Sequence, residues 1–207
     1  MEQTIAAVDR WVAGWSISRG APRERFGRGW RVEVAAETRS REYIIGCPSP
    51  EELRQFVSAT AGRPDVWLSI VGEPDEGIRE TVSALSPVTR DEMMMTSTVV
   101  PAAMPTAVIL EQDGSVVRAR IELEGEIAAS GQAAVHGSDV VLDRIGAIPR
   151  FRRRGLASLI VTALASWAAD RGATTGLLVA SVEGRHLYGS LGWTNVSPIA
   201  TFRGREL

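Results

Sequence analysis

Residues 150–158, Arg-Phe-Arg-Arg-Arg-Gly-Leu-Ala-Ser, put four arginines into five positions and then turn abruptly to glycine and small side chains. Guanidinium groups ahead of a glycine suit an anion, and three readings compete: a nucleic-acid patch, a solvated helix end, or a cradle for a phosphorylated ligand. The cradle has a physical basis. The first N–H groups of a helix have no internal partner, and the aligned peptide dipoles place partial positive charge there. Glycine admits an anion close to the backbone, and Leu156 with Ala157 sets no bulky polar group in its way. The spacing is neither Walker A, which requires a lysine, nor GxGxxG. A net charge of −2 and a pI near 5.8 do not draw the whole chain to polyanions. Phe151 alone interleaves the arginines, which favours a local anion site over a nucleic-acid surface.

The remaining reactive side chains are few. All 23 basic residues are arginine, so lysine Schiff bases and amine nucleophiles are excluded. Cys47 is the single cysteine, which rules out an internal disulfide and a multi-thiolate zinc site; with no histidine near it in sequence it reads as a small buried residue. His136 and His186 are the only histidines, so a metal would have to rely on carboxylates, and none is expected. No basic-then-apolar leader opens the chain and no apolar run reaches spanning length, so the expectation is a cytoplasmic protein with neither membrane nor nucleic-acid partner.

The elements that must position these residues are legible in the periodicity. The uncharged stretch 99–105, with two prolines, reads as a boundary between residues 1–100 and 101–207. After it come TAVILE, SVVRARIELE, IAASGQAAV and DVVLDRIGAI, four strands separated by Asp113-Gly114, Glu124-Gly125 and His136-Gly137-Ser138, an antiparallel meander. Pro149 stops the last strand. From Leu156 the period becomes 3.6, with Leu156, Leu159, Ile160, Ala163, Leu164, Trp167 and Ala168 on one stripe, and Gly172 supplies the stop. ATTGLLVAS reads as a buried strand, VEGRHLYGSL as a short helix and WTNVSPIATF as a final strand.

The first hundred residues run similarly: strands GWRVEVA and REYIIGC, a helix PEELRQFVSATAG, a strand DVWLSIVG, a helix EGIRETVSAL and a strand DEMMMTSTVV. The whole is an α/β protein with a mixed sheet. Gly62 to Leu85 loosely parallels Gly172 to Leu191, which a degenerate duplication and ordinary α/β alternation explain equally. Nothing in the first half matches RRRGLA. Trp67 and Met93 to Met95 read as strand core. Trp11, Trp15 and Trp30 suit a core or an acceptor pocket wall equally.

Arg152 to Ala157 resembles the R/Q-x-x-G-x-G/A signature of the GNAT acyltransferase superfamily, and Leu187-Tyr188-Gly189-Ser190-Leu191-Gly192-Trp193 is similar to that family's LY-x-x-LGF segment, with Trp for Phe. Both stand in the family's order within about residues 106–207. The resemblance implies a GNAT fold in this half and an acetyl-CoA-dependent N-acetyltransferase acting on a primary amine. It implies that the coenzyme diphosphate lies on the amides of Arg152, Arg153, Arg154, Gly155, Leu156 and Ala157 with Ser158. The pantetheine arm is expected along Ile145, Gly146 and Ala147 of a splayed strand, a main-chain pairing for which Gly146 suits a close approach. Arg150, Arg153 and Arg154 are candidates for the 3′-phosphate.

Acyl transfer to an amine needs a neutral nucleophile, a stabilised oxyanion and a proton for the departing thiolate. The resemblance makes Tyr188 the acid, and a phenol near its ordinary pKa is protonated at neutral pH. Asp143 stands where relatives carry an acidic residue. Strand alternation puts it on one face with Ile145 and Ala147. Glu122, Glu124, Glu126 and His136 are further base candidates, and ordered water is another. The asparagine that many relatives place before the acid-bearing helix is missing, and Ser181 is its nearest polar substitute. The rival reading is a weakly active module that binds acyl-CoA, or only a protein partner. The acceptor, the acyl length and the oligomeric state stay open, a homodimer paired through the final strand being one arrangement.

Overall fold

The structure is a computed structural model and describes residues 1–73 and 75–206. In chain order the elements are α1 (Glu2–Arg19), β1 (Arg23–Phe26), β2 (Gly29–Ala36), β3 (Arg39–Gly46), α2 (Pro50–Thr60), β4 (Val66–Val71), α3 (Glu76–Thr81), β5 (Ser86–Thr98), β6 (Ile109–Asp113), β7 (Val116–Leu123), β8 (Glu126–His136), β9 (Asp139–Ala147), α4 (Leu156–Ala169), β10 (Thr175–Ala180), α5 (Val182–Ser190) and β11 (Thr194–Arg203). Two compact units result. The first takes Met1–Val12, Arg19–Met94 and the chain from Val196 onward; the second takes Ala13–Ser18 and Met95–Asn195. Among the described residues no helix is long and apolar enough to cross a membrane, and no group of carboxylates, histidines and cysteine gathers as a metal site.

In the first unit the strands run β1-β2-β3-β4-β11-β5. β3 and β4 are parallel from Arg41↔Val66 to Gly46↔Val71, the full length of β4. Tyr43, Ile45, Leu68 and Ile70 send their side chains to the face where Leu53 and Phe56 of α2 complete a core. α2 starts sharply: Ser49 caps it, Pro50 follows, and Glu52 closes a reciprocal capping box. The interleaved residues of the central strands carry a buried polar row instead. Ser69 Oγ donates to Glu42 Oε1 at 2.5 Å and lies 2.8 Å from Thr201 Oγ1, while Arg39 donates to Glu42 Oε2. Burial pushes the Glu42 carboxyl pKa up even against the Arg39 charge. α1 was not expected from the sequence. It buries Ala7, Val8, Trp11 and Val12, so Trp11 is core.

The second unit runs β5-β10-β9-β8-β7-β6. β6 to β9 form the anticipated antiparallel meander. Leu123 pairs with Glu126, leaving Glu124 and Gly125 as a two-residue turn with φ 55° and 80°, the backbone that a tight hairpin demands. The first turn sits one residue later than expected: Asp113 still pairs with Val116, and Gly114-Ser115 make the bend. α4 lies on β7, β8 and β9 and buries Ile160, Ala163, Leu164, Trp167 and Ala168 of the expected stripe, with Gly172 at φ 83° beyond its end. Met94 and Met95 are core, as expected of β5. Trp15 is buried, whereas Trp67 is half-buried beneath Arg39, whose guanidinium carbon lies 4.8 Å from its ring centre.

Candidate active site

The arginine run forms a short turn between β9 and α4. Pro149 to Phe151 make one 3-10 turn, and the chain then bends through Arg153 at φ 63° to Gly155 at φ 76°. Gly155 is the N-cap of α4, and no side chain caps the helix. A Cβ at Gly155 would find nothing within 4 Å, so the chain is uncrowded at that residue. The arginines divide the work. Arg150 and Arg154 stack on the buried Phe151, at 4.8 and 5.3 Å from its ring centre, and Arg150 also pairs with Glu126. Arg152 Nε donates to Ala147 O at 3.3 Å. Arg152 to Gly155 are exposed.

β9 reaches this turn through a bulge. Ser130 pairs with Gly146 and Gln132 with Asp143, so Arg144 and Ile145 both oppose Gly131, and Arg144 takes φ 56°. The extra residue breaks the alternation. Ile145 Cδ1 lies where a Cβ on Gly131 would sit, beside Ile160 and Leu164 of α4. Asp143 instead meets Gln132, the residue next to Gly131, whose Nε2 stands 3.4 Å from Asp143 Oδ2. Asp143 and Ile145 therefore lie on opposite faces, contrary to the expectation of a shared one. The bulge also opens the strand's far edge. Parallel pairing of β9 with β10 covers only Thr175↔Asp139, Gly176↔Val140 and Leu177↔Val141, although β9 continues to Ala147 and β10 to Ala180. Gly146 faces open space within 4 Å.

Tyr188 sits on α5, 7% exposed, with its ring centre 5.9 Å from that of Trp193. Desolvation pushes its phenol pKa up to about 12, with the Asp143 charge adding to the rise. That coupling brings Tyr188 and Asp143 into one electrostatic neighbourhood. Ser181 is the N-cap of α5, its hydroxyl accepting from Gly184 N at 3.2 Å. Ser158 occupies the first turn of α4 and is half-buried.

Other base candidates are engaged or remote. Glu122 pairs with Arg120, Glu124 and Glu126 face Arg150, and His136 is exposed at a hairpin end. Sequence reasoning missed Gln132, which is buried and donates to Ser18 O at 2.9 Å and Ser18 Oγ at 2.8 Å. The partners are 114 residues apart, and no local signal joins them.

An uncapped helix N-terminus beside an unpaired strand edge fits a diphosphate joined to an extended amide-bearing arm. Comparisons with known proteins identify the family. The family model described as Acetyltransferase (GNAT) family matches residues 88–193, and the chain belongs to that family. It is similar in fold to a GCN5-related N-acetyltransferase from Kribbella flavida (TM-score 0.68, 15% identity, covering 97% of this chain and 95% of that one). It is also similar to a GNAT-family protein from Novosphingobium aromaticivorans (TM-score 0.65, 15% identity, 97% of each chain). A third likeness is to a GCN5-related N-acetyltransferase-like protein from Streptococcus suis (TM-score 0.57, 11% identity, 98% and 100%). No curated protein matches the chain. Family and fold support acyl transfer from acyl-CoA to an amine as the general chemistry.

Proposed function

We propose that the protein is an acetyl-CoA-dependent N-acetyltransferase that passes the acyl group directly to a primary amine, with Tyr188 as general acid. The observation that carries this reading is the early end of β9–β10 pairing, at Val141↔Leu177, beside the uncapped Gly155 turn. Bound there, acetyl-CoA supplies the activated acyl group. The amides of Arg152 to Ala157, with Ser158, hold the diphosphate in the partial positive field of α4. The edge of Ile145, Gly146 and Ala147 that β10 leaves uncovered aligns the arm as an added strand would.

Asp143, half-buried near Tyr188, holds the incoming amine and takes its proton, directly or through water. The new C–N bond forms as the C–S bond breaks, and Tyr188 donates its proton to the departing sulfur. With its pKa near 12, the phenol keeps that proton through the whole physiological range. Ser181, engaged as a helix cap, lines the cofactor side by supporting α5.

The test is the release of free thiol from acetyl-CoA by Tyr188→Phe against a panel of primary amines. The expected result is a kcat lower by about 10²–10³-fold with KM for acetyl-CoA little changed, and a wild-type rate without a tyrosine limb below pH 10. An unchanged kcat removes Tyr188 as the acid. Calorimetric binding of acetyl-CoA with no turnover of any amine favours the binding-module reading.

A further inference from the structure

The Trp193 that stands where the family pattern has Phe is matched by a glycine in a facing strand. A Cβ placed on Gly176 of β10 would lie 2.6 Å from Trp193 Cη2 and 3.2 Å from both Cζ2 and Cζ3. These are the outer atoms of the indole, beyond the reach of a phenylalanine ring. Gly176 has no positive φ, so its backbone does not demand glycine and the close approach does. The indole also meets Tyr188, ring centres 5.9 Å apart at 58°, and Trp193 N donates to Tyr188 O at 3.0 Å. The phenol ring also lies close to Gly184, one turn back on α5, where an added Cβ would stand 3.2 Å from Tyr188 Cε2. The strand under the indole is itself pinned, since Thr96 Oγ1 donates to Gly176 O at 2.9 Å.

We infer that Gly176 and Trp193 are positioning residues: the indole, seated on the bare backbone of Gly176, fixes the ring of Tyr188 against Gly184 and so aims its hydroxyl. This rests on the reading of Tyr188 as the acid. A larger ring than the family's presses Tyr188 from one side, and the missing side chain at position 176 makes the room. The pair acts through Tyr188, so its loss moves kcat and spares the binding of acetyl-CoA.

The experiment uses the full chain with acetyl-CoA and whichever of spermidine, tyramine or a glycyl peptide turns over fastest. It also follows the ring resonances of ¹³C-labelled tyrosine, with Tyr43 as internal control. Gly176→Ala is expected to shift the Tyr188 ring resonances and lower kcat by about tenfold, with KM for acetyl-CoA within about twofold of wild type. Adding Gly176→Ala to Trp193→Phe is expected to cost nothing further, because the shorter ring vacates the space. Adding it to Tyr188→Phe is likewise expected to leave kcat where Tyr188→Phe alone put it.

Unmoved Tyr188 resonances, or an equal loss of kcat in all three backgrounds, overturns the inference. If Tyr188→Phe itself leaves kcat unchanged, the acid assignment fails, and the resonances alone then decide whether the seat exists. Should Gly176→Ala not fold, Trp193→Leu read by resonance shift and kcat decides in the same way.

Discussion

Arg28 and Glu52 show what a single ion pair does at a helix start. Arg28 donates from Nε to Glu52 Oε1 at 2.6 Å and also to the carbonyls of Gly46 and Cys47, while Ser49 N and Oγ donate to Glu52 Oε2. The Arg28 guanidinium, then the Ser49 N–H and hydroxyl, hold the Glu52 carboxyl pKa down to about 2. The pH dependence follows from the direction. A carboxyl with a depressed folded pKa stabilises the fold in full above its ordinary value near 4.5, and that contribution fades as the pH falls toward 2. Glu52→Gln is expected to lower Tm by about 2–4 °C at pH 7, with the gap narrowing below pH 4. Melting curves across that range check it, and a constant gap contradicts it.

Legibility at this scale follows distance along the chain. The turn of Arg152 to Gly155 into α4 and the place of Tyr188 on a short helix are readable because both are set within a few residues. The Asp143–Gln132–Ser18 contact was not, because it joins partners far apart in sequence.

At the scale of elements, the two helices that follow a central strand end differently. α2 is closed by its own Ser49, Pro50 and Glu52, whereas α4 opens on Gly155 with no cap. One N-terminus is satisfied from within, and the other has no side-chain cap. Gly155→Ala forces a side chain into the left-handed region, at about 1–2 kcal/mol, and crowds the open turn. It is expected to raise the Kd for acetyl-CoA by about tenfold or more with kcat at saturation nearly kept; titration calorimetry measures this, and an unchanged Kd contradicts it. The α4 stripe, the meander and the β10-α5-β11 order were plain in the sequence because apolar spacing dictates them. The bulge at Arg144 was not. Strict alternation along DVVLDRIGA keeps Asp143 with Ile145, and only the register against β8 reveals the extra residue. α1 is not legible in the sequence either, because Trp11 to Ser16 are buried on every side and make no one-faced apolar stripe, although Gly20 at φ 60° follows its last residue as a stop.

At the scale of the whole molecule, the order β3-α2-β4-α3-β5 recurs as β9-α4-β10-α5-β11, and in each set the first and third elements are parallel neighbours. The parallel pair stays closed over all of β4 in the first unit and parts after three residue pairs in the second. Pairing geometry and helix capping thus set the second unit apart, and both support the proposal that it is the one that takes acyl-CoA. The central claim is that the amides around Gly155 hold the coenzyme. The most direct measurement is the amide ¹H–¹⁵N spectrum of the full chain titrated with coenzyme A. One molecule is expected to bind per chain, with the largest shifts at Arg152 to Ala157 and at Ile145 to Ala147. Saturable binding that leaves those amides unmoved, and shifts the amides around Ser49 to Leu53 instead, contradicts it.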